Sequence, residues 1–375
     1  MTYISALLVI FIGVIAYDIK GSKNGKSLWY VFEWFILVLI AGFRYKVGGD
    51  TYAMMDYYTY QPELSQLNAS HFVDSRYPPL WIIFVSTIKS FSNEFWVFQL
   101  VNAIIVNTAF FLFFKKHCKY YYTCVCVYAV LLFLNYNTEI MRAALSVSIF
   151  LFAYDYLINK KWALYVLFII IASGFHAESF LLLLFPFCHL VKNISFNGSI
   201  VVLTFLFLLL ISLDFIPAIS DMLSFNEAIQ HSFDVHSEGQ IFSFNFNGII
   251  SYSFKLLTWL FALWIIRGDT SYNKLYVYIA FISVAYSYKY PVIFGRMMDF
   301  IYPMLTIELA NILYAKKQIL KYIVLLGVVY SWGMFYFWRV ANTYSYAQYF
   351  PYTSIFDPYE IPERNIVVYE YHPNL

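Results

Sequence analysis

Apolar residues run along this chain in blocks of roughly 14 to 21, separated by short polar breaks, and about 20 are needed to cross a ~30 Å hydrocarbon layer as a helix. The blocks fall at 3–17, 28–43, 94–114, 120–136, 143–158, 162–175, 178–191, 199–216, 248–266, 274–290, 297–315 and 319–338. They predict an all-α polytopic membrane protein with about 12 to 13 transmembrane helices, forming a single integral membrane domain over residues 1–375. The breaks carry lysines: Lys20, Lys23 and Lys26, then Lys115, Lys116 and Lys119, Lys160 and Lys161, Lys192, Lys274 beside Arg267, and Lys316, Lys317 and Lys321. The positive-inside rule places these clusters in the cytoplasm. The longer polar stretches 44–77 and 217–247 then become external loops, and 339–375 an external C-terminal tail.

Two stretches resist simple alternation. Residues 77–91 are apolar, but a full crossing there would put the preceding loop and the Lys115 cluster on opposite sides. The stretch is short, opens with Pro78-Pro79 and carries Lys89, so we read it as a re-entrant or interfacial helix on the external side, the alternative being a thirteenth span. Residues 162–191 are flanked by lysines on both sides, so an even number of passes must fit. Each pass has about 14 residues, roughly 21 Å as an α-helix, so the tip Ser173-Gly174-Phe175-His176-Ala177-Glu178 is expected below the outer surface. Irregular backbone at that depth needs protein or a water-filled cavity around it.

Composition narrows the class. The chain is 61% hydrophobic and 12% charged, whereas soluble domains carry about 25% charged residues. A net charge of +2 gives no footprint for nucleic acid. Met1 to Tyr17 lacks a charged n-region and a small-residue cleavage site and reads as a retained first span. Cys118, Cys124, Cys126 and Cys188 form neither a disulfide nor a zinc signature and read as small packing residues.

Once the sides are assigned, lysine and arginine separate. Most lysines fall inside, whereas Arg44, Arg76, Arg142, Arg296, Arg339 and Arg364 fall outside, against the usual bias. Arginine binds phosphate bidentately and keeps its charge where water is scarce. Arg44, Arg142 and Arg296 each stand at the external end of a span, where a charge is costly enough to be a functional candidate. The bland reading is an ion pair, Arg142 with Glu139 and Arg296 with Asp299, each three residues apart. Gly48-Gly49-Asp50-Thr51-Tyr52 follows Arg44, and paired glycines let backbone approach a ligand while Asp50 offers a base; a plain turn is the alternative. His176 and Glu178 at the submerged tip must be paired or working. The loop 217–247 is acidic, with His231 and His236 off any zinc spacing, and reads as a solvated lid.

The order of these motifs resembles the EpsG-type branch of the Wzy polysaccharide polymerases along nearly the whole chain. The resemblance rests on Gly42-Phe43-Arg44-Tyr45-Lys46-Val47-Gly48-Gly49-Asp50-Thr51-Tyr52, on Met141-Arg142-Ala143-Ala144-Leu145, on Phe175-His176, on Gly295-Arg296-Met297 and on Phe350-Pro351-Tyr352. Ala143 stands where the family has Gln, and Glu178 where it has a small polar residue. The resemblance implies a GT-C-like glycosyltransferase at the external face of the bacterial cytoplasmic membrane. Such an enzyme passes a growing glycan from polyprenyl diphosphate to a sugar hydroxyl of the next lipid-linked repeat. The residues themselves fit that reaction, with Arg44, Arg142 and Arg296 expected on the diphosphate, Asp50, His176 or Glu178 as base, and Tyr45, Lys46, Tyr52 and Arg339 as further substrate contacts. A chain-length regulator protein is an additional partner the resemblance brings into view. Arginines that stabilise the diphosphate as it gains charge leave no need for a metal or other cofactor. A lipid-linked oligosaccharide flippase or transporter is the alternative of a different class, but its ionisable groups should cluster at the midplane between repeats. An O-antigen ligase or membrane acyltransferase shares the same site logic.

Overall fold

A computed structural model describes residues 2–73, 75, 77–190, 205, 291–315 and 347–371. There the chain is helical, the apolar blocks and parts of the polar stretch 44–77 alike: α1 (Thr2–Gly13, continuing as a π-helical turn Val14–Ile19), α2 (Lys26–Gly42), α3 (Thr51–Tyr60), α4 (Ser70–Val73), α5 (Pro79–Lys89), α6 (Phe95–His117), α7 (Tyr121–Leu131) and α8 (Met141–Ile158). They continue with α9 (Trp162–Ser173), a 3-10 helix (Ala177–Leu190), α10 (Pro291–Ala315) and α11 (Pro362–Tyr371). The expected spans at 199–216, 248–266, 274–290 and 319–338 and the loop 217–247 lie outside the described residues, residue 205 aside. Among the described residues no strand forms, only isolated bridges of Ser354 with Arg44 and with Asp357.

Hydrocarbon offers backbone amides no partner, so a chain that enters it must satisfy them within its own segment, as a helix does. Thr2–Ile19, Phe95–His117 and Met141–Ile158 are long and apolar enough to cross a membrane, and shorter apolar helices accompany them. Large apolar side chains such as Leu8, Phe11, Phe35, Leu112 and Ile170 stand exposed on the helices. Lipid tails are the solvent such a surface requires, and the chain is an all-α membrane protein. α5, expected as a short external helix or a thirteenth span, has 11 residues, about 16 Å of axis at 1.5 Å per residue.

Two compact units emerge. One comprises Met1–Leu67, Ile83–Ser148 and Thr306–Leu375. In it α2 and α6 run antiparallel: Tyr30 Oη donates to Phe111 O at 2.8 Å, Trp34 Nε1 to Thr108 Oγ1 at 3.2 Å, and Gly42 lies against Leu100. A buried polar triangle ties α6, α7 and the turn before α8. Asn107 Nδ2 donates to Asn137 Oδ1 at 2.9 Å, Tyr128 Oη to Asn107 Oδ1 at 3.0 Å, and Asn137 Nδ2 to Tyr128 Oη at 3.0 Å. Such interhelical bonds hold helices together where apolar burial gives no driving force.

The other unit comprises Asn68–Ile82 and Ile149–Leu305. Phe150 packs edge-on against Phe185 and Phe300, each at 5.8 Å, and Tyr165 Oη donates to Leu182 O at 2.7 Å. The pass expected over 178–191 as an α-helix of about 21 Å is a 3-10 helix of 14 residues, and a rise near 2.0 Å per residue carries it about 28 Å. Pro186 lies inside it, and proline both lacks the amide donor and obstructs an α-helical ladder. The shortness inferred from residue counting therefore belongs to the α9 leg alone, 12 residues and about 18 Å.

Candidate functional site

The α9 leg ends where Gly174 N, Phe175 N and His176 N still donate to carbonyls of the last helical turn. The first turn of α5 caps this tip: Leu80 N and Trp81 N donate to Gly174 O at 2.9 and 3.1 Å. A Cβ at position 174 would lie 2.5 Å from Leu80 Cγ, so glycine is what admits the contact. Ser179 N and Oγ both donate to His176 O, at 3.1 and 2.6 Å, which turns the chain directly into the 3-10 helix.

This turn presents His176 and Glu178, 2% and 1% exposed, to one another and to Arg296 of α10. His176 Nδ1 is 3.0 Å from Glu178 Oε2, Arg296 Nη1 is 3.3 Å from His176 Nε2, and Arg296 Nε is 4.0 Å from Glu178 Oε1. A guanidinium can only donate, so Nε2 is the accepting nitrogen and the ring proton sits on Nδ1, facing the carboxylate. A carboxylate thus lies beside an imidazole whose lone pair points at a cation. Arg296 is the half-open member, its side chain 30% exposed. Asp299, the partner that spacing offered Arg296, lies buried one turn along α10.

A second group of expected residues gathers in the other unit, around the loop after α2. Arg44 is 2% exposed. Its Nε donates to Val47 O at 3.2 Å, its Nη1 to Ala41 O and its Nη2 to Met141 Sδ at 3.1 Å. Burial pushes this guanidinium down to about 10, which leaves it charged at neutral pH. The fork therefore shapes the loop rather than standing open. Gly48 has φ +106°, and a Cβ there would sit 2.5 Å from Thr138 Cβ. Gly49 N donates to Glu139 Oε1 at 2.8 Å. The paired glycines admit close protein neighbours. Asp50 is half-buried at the N-cap of α3 without a side-chain capping bond. Arg142 is half-buried in the first turn of α8, the helix end whose dipole disfavours a cation and welcomes an anion.

On the loop's open side stand Tyr45, Lys46 and Tyr52, all half-buried. Lys46 Nζ lies 5.5 Å from the Tyr45 ring centroid and 5.4 Å from that of Tyr52. Two residues that sequence reasoning missed complete this face: Glu360 accepts from Tyr45 Oη at 3.2 Å and from Lys46 Nζ, and Asn365 Oδ1 accepts from Tyr52 Oη at 2.6 Å. The Lys46 hydrogen bond and charge hold the Glu360 carboxyl below its ordinary range. Burial opposes the Lys46 ammonium, yet Glu360 with Tyr45 and Tyr52 raises it overall. The signal that could have found the pair is faint, an aromatic-Pro-Tyr motif followed by polar residues with no period.

The expected site residues thus form two groups, each within its own unit: His176, Glu178 and Arg296 in one, and Arg44, Tyr45, Lys46, Asp50, Tyr52 and Arg142 in the other. Arg339 lies outside the described residues. No curated protein and no solved structure matches the chain. A family model described as the EpsG family matches residues 27–354. With that match running over most of the sequence, the chain belongs to the EpsG family, and this points to a polysaccharide polymerase-like function in the membrane.

Proposed function

We propose that the chain is a glycosyltransferase that polymerises polyprenyl-diphosphate-linked oligosaccharide repeats at the external face of the cytoplasmic membrane. The observation that carries this reading is the contact of an imidazole, itself 3.0 Å from a buried carboxylate, with a half-open guanidinium. The transfer needs those two capacities together. An acceptor sugar hydroxyl must lose its proton as it attacks the anomeric carbon, and the bond from that carbon to the diphosphate oxygen must break.

His176 Nε2 takes the hydroxyl proton while Glu178 holds Nδ1–H and stabilises the imidazolium that forms. Arg296 turns its N–H groups from Nε2 to the diphosphate, which receives the electron pair of the breaking bond and gains charge. The products are a glycan longer by the transferred chain and free polyprenyl diphosphate. The proton then leaves His176 for water. Arg44, already engaged by main-chain carbonyls, serves the loop's shape in this reading.

Purified protein supplied with lipid-linked repeat units alone should make a ladder of products. A ligase needs a second acceptor, and a flippase would leave the repeats unjoined. His176→Gln and Glu178→Gln should lower turnover at least about 10²-fold, the low end for loss of a general base, with thermal stability close to that of the wild type. Arg296→Lys keeps charge without the fork and should lose most polymer. Folded and fully active His176→Gln and Glu178→Gln variants would remove both residues from the chemistry.

A further inference from the structure

Arg364 is among the largest fully buried side chains of the described protein, 1% exposed, although it is a cation in the first turn of α11. The helix dipole there works against it, and burial lowers its pKa. What holds it is a fan of oxygen acceptors. Nε donates to Ala347 O at 2.7 Å, Nη1 to Lys46 O and Thr353 Oγ1 at 2.9 Å each, and Nη2 to Pro351 O at 2.6 Å. One side chain therefore joins the loop after α2, the segment 347–353 and α11. Main-chain bonds follow the same seam: Tyr45 N to Thr353 O and Gly48 N to Gln348 O at 2.9 Å, and Ile355 N to Phe43 O at 3.0 Å.

The seam has an open face, and its chemistry is specific. From the loop come the rings of Tyr45 and Tyr52 with Lys46; from the tail come Glu360, its side chain 49% exposed, and the amide of Asn365. Flat apolar faces beside hydroxyl, amide and carboxylate groups match a pyranose, which offers C–H faces and a ring of hydroxyls. The charges select further. Lys46 and Glu360 neutralise each other, so the face carries no net charge to attract an acidic sugar, while the second carboxylate oxygen can accept from neighbouring hydroxyls.

We infer that the C-terminal tail and the Tyr45–Tyr52 loop together form a subsite for a neutral sugar bearing adjacent hydroxyls, with Arg364 as the positioning residue that holds the two walls in register. This rests on the polymerase reading for its biological setting, but the geometry requires only a saccharide. The site takes part in selecting which repeat unit is extended.

The test uses full-length protein in detergent micelles and, as probe, the free oligosaccharide repeat released from its lipid by mild acid. Saturation-transfer NMR should show contact with the neutral sugars of wild-type-bound probe. Tyr52→Ala and Glu360→Gln, both on the open face, should lose it. In polymerisation assays Arg364→Lys should raise the KM for lipid-linked repeats about tenfold or more with kcat largely kept, since one ammonium cannot serve four acceptors and a lost charged hydrogen bond costs about a factor of ten. A merely structural arginine would lower the melting temperature and the yield of folded protein and leave the KM of the folded fraction unchanged. That result would overturn the positioning role. Equal transfer in Tyr52→Ala and Glu360→Gln would overturn the subsite, and equal competition by free glucuronate would overturn its preference for neutral sugars. If the probe binds and the variants lose it while wild type makes no ladder, the subsite stands and the polymerase reading falls. A ladder with KM unchanged in every variant gives the reverse.

Discussion

Glu33 lies in the apolar interior of α2, 0% exposed, with no hydrogen-bond partner for either carboxyl oxygen among the described residues. Space for it comes from Gly13 of α1, where a Cβ would stand 2.0 Å from Glu33 Oε1. Glycine and glutamate are thus two halves of one packing solution. Gly13→Ala should cost about 1 to 3 kcal/mol, the usual penalty for overpacking. Combined with Glu33→Ala, which removes the nearest of the three atoms a Cβ would crowd and leaves Trp29 and Tyr122, it should cost less than the sum of the single losses. Additive losses in detergent melts would show that the two residues do not share that contact. The same scale shows what a sequence can and cannot disclose about a site. His176 and Glu178 are two residues apart at a predicted membrane depth, so their pairing is legible from position alone. Arg296 is not: its neighbour in sequence is Asp299, and no spacing rule points across 120 residues to the His176 ring it meets at 3.3 Å.

Whole elements were legible where one physical requirement dominates. The boundaries expected at 28–43, 94–114, 143–158 and 162–175 fall close to those of α2, α6, α8 and α9, because lysines end the apolar blocks and only helices satisfy amides in lipid. The 3-10 pass was hidden, since 177–190 has the composition of any apolar helix and only Pro186 hints at another ladder. The tail was hidden for the opposite reason. Its order comes from Arg364 and from main-chain bonds to the loop, neither of which imposes a period on the sequence. The loop itself turns on Gly48. Its φ of +106° excludes ordinary side chains at ease, and Thr138 fills the space a Cβ would need. Gly48→Ala should therefore cost about 2 to 4 kcal/mol, adding a left-handed backbone penalty to overpacking. It should weaken the Gly48 N to Gln348 O bond and loosen the tail, read as faster proteolysis of residues beyond 347. Unchanged proteolysis would leave the tail independent of the loop.

Across the first unit the antiparallel pairing of α2 with α6 sorts charge by end. Tyr30 meets Phe111 near one end and Gly42 meets Leu100 near the other. The break between α1 and α2, with Lys20, Lys23 and Lys26, therefore lies at the same end as Lys115, Lys116 and Lys119, and the Tyr17–Tyr122 and Tyr30–Tyr121 ring contacts confirm that neighbourhood. Arg44 and the tail that Arg364 pins to its loop lie at the opposite end. A single bilayer orientation then assigns both ends at once, and the positive-inside rule leads us to propose that the lysine-rich end faces the cytoplasm. A thiol reagent that cannot cross the membrane should label Ser65→Cys in intact cells and spare Ser22→Cys until the cells are opened; both positions are exposed on the protein. The native Cys118 and Cys124 are buried, and replacing Cys188 together with the half-buried Cys126 by serine removes the remaining background. Labelling of Ser22→Cys in intact cells with Ser65→Cys protected would turn the molecule over. The tyrosine-rich subsite would then face the cytoplasm, and an enzyme acting on repeats at the external face would need its sugar contacts elsewhere.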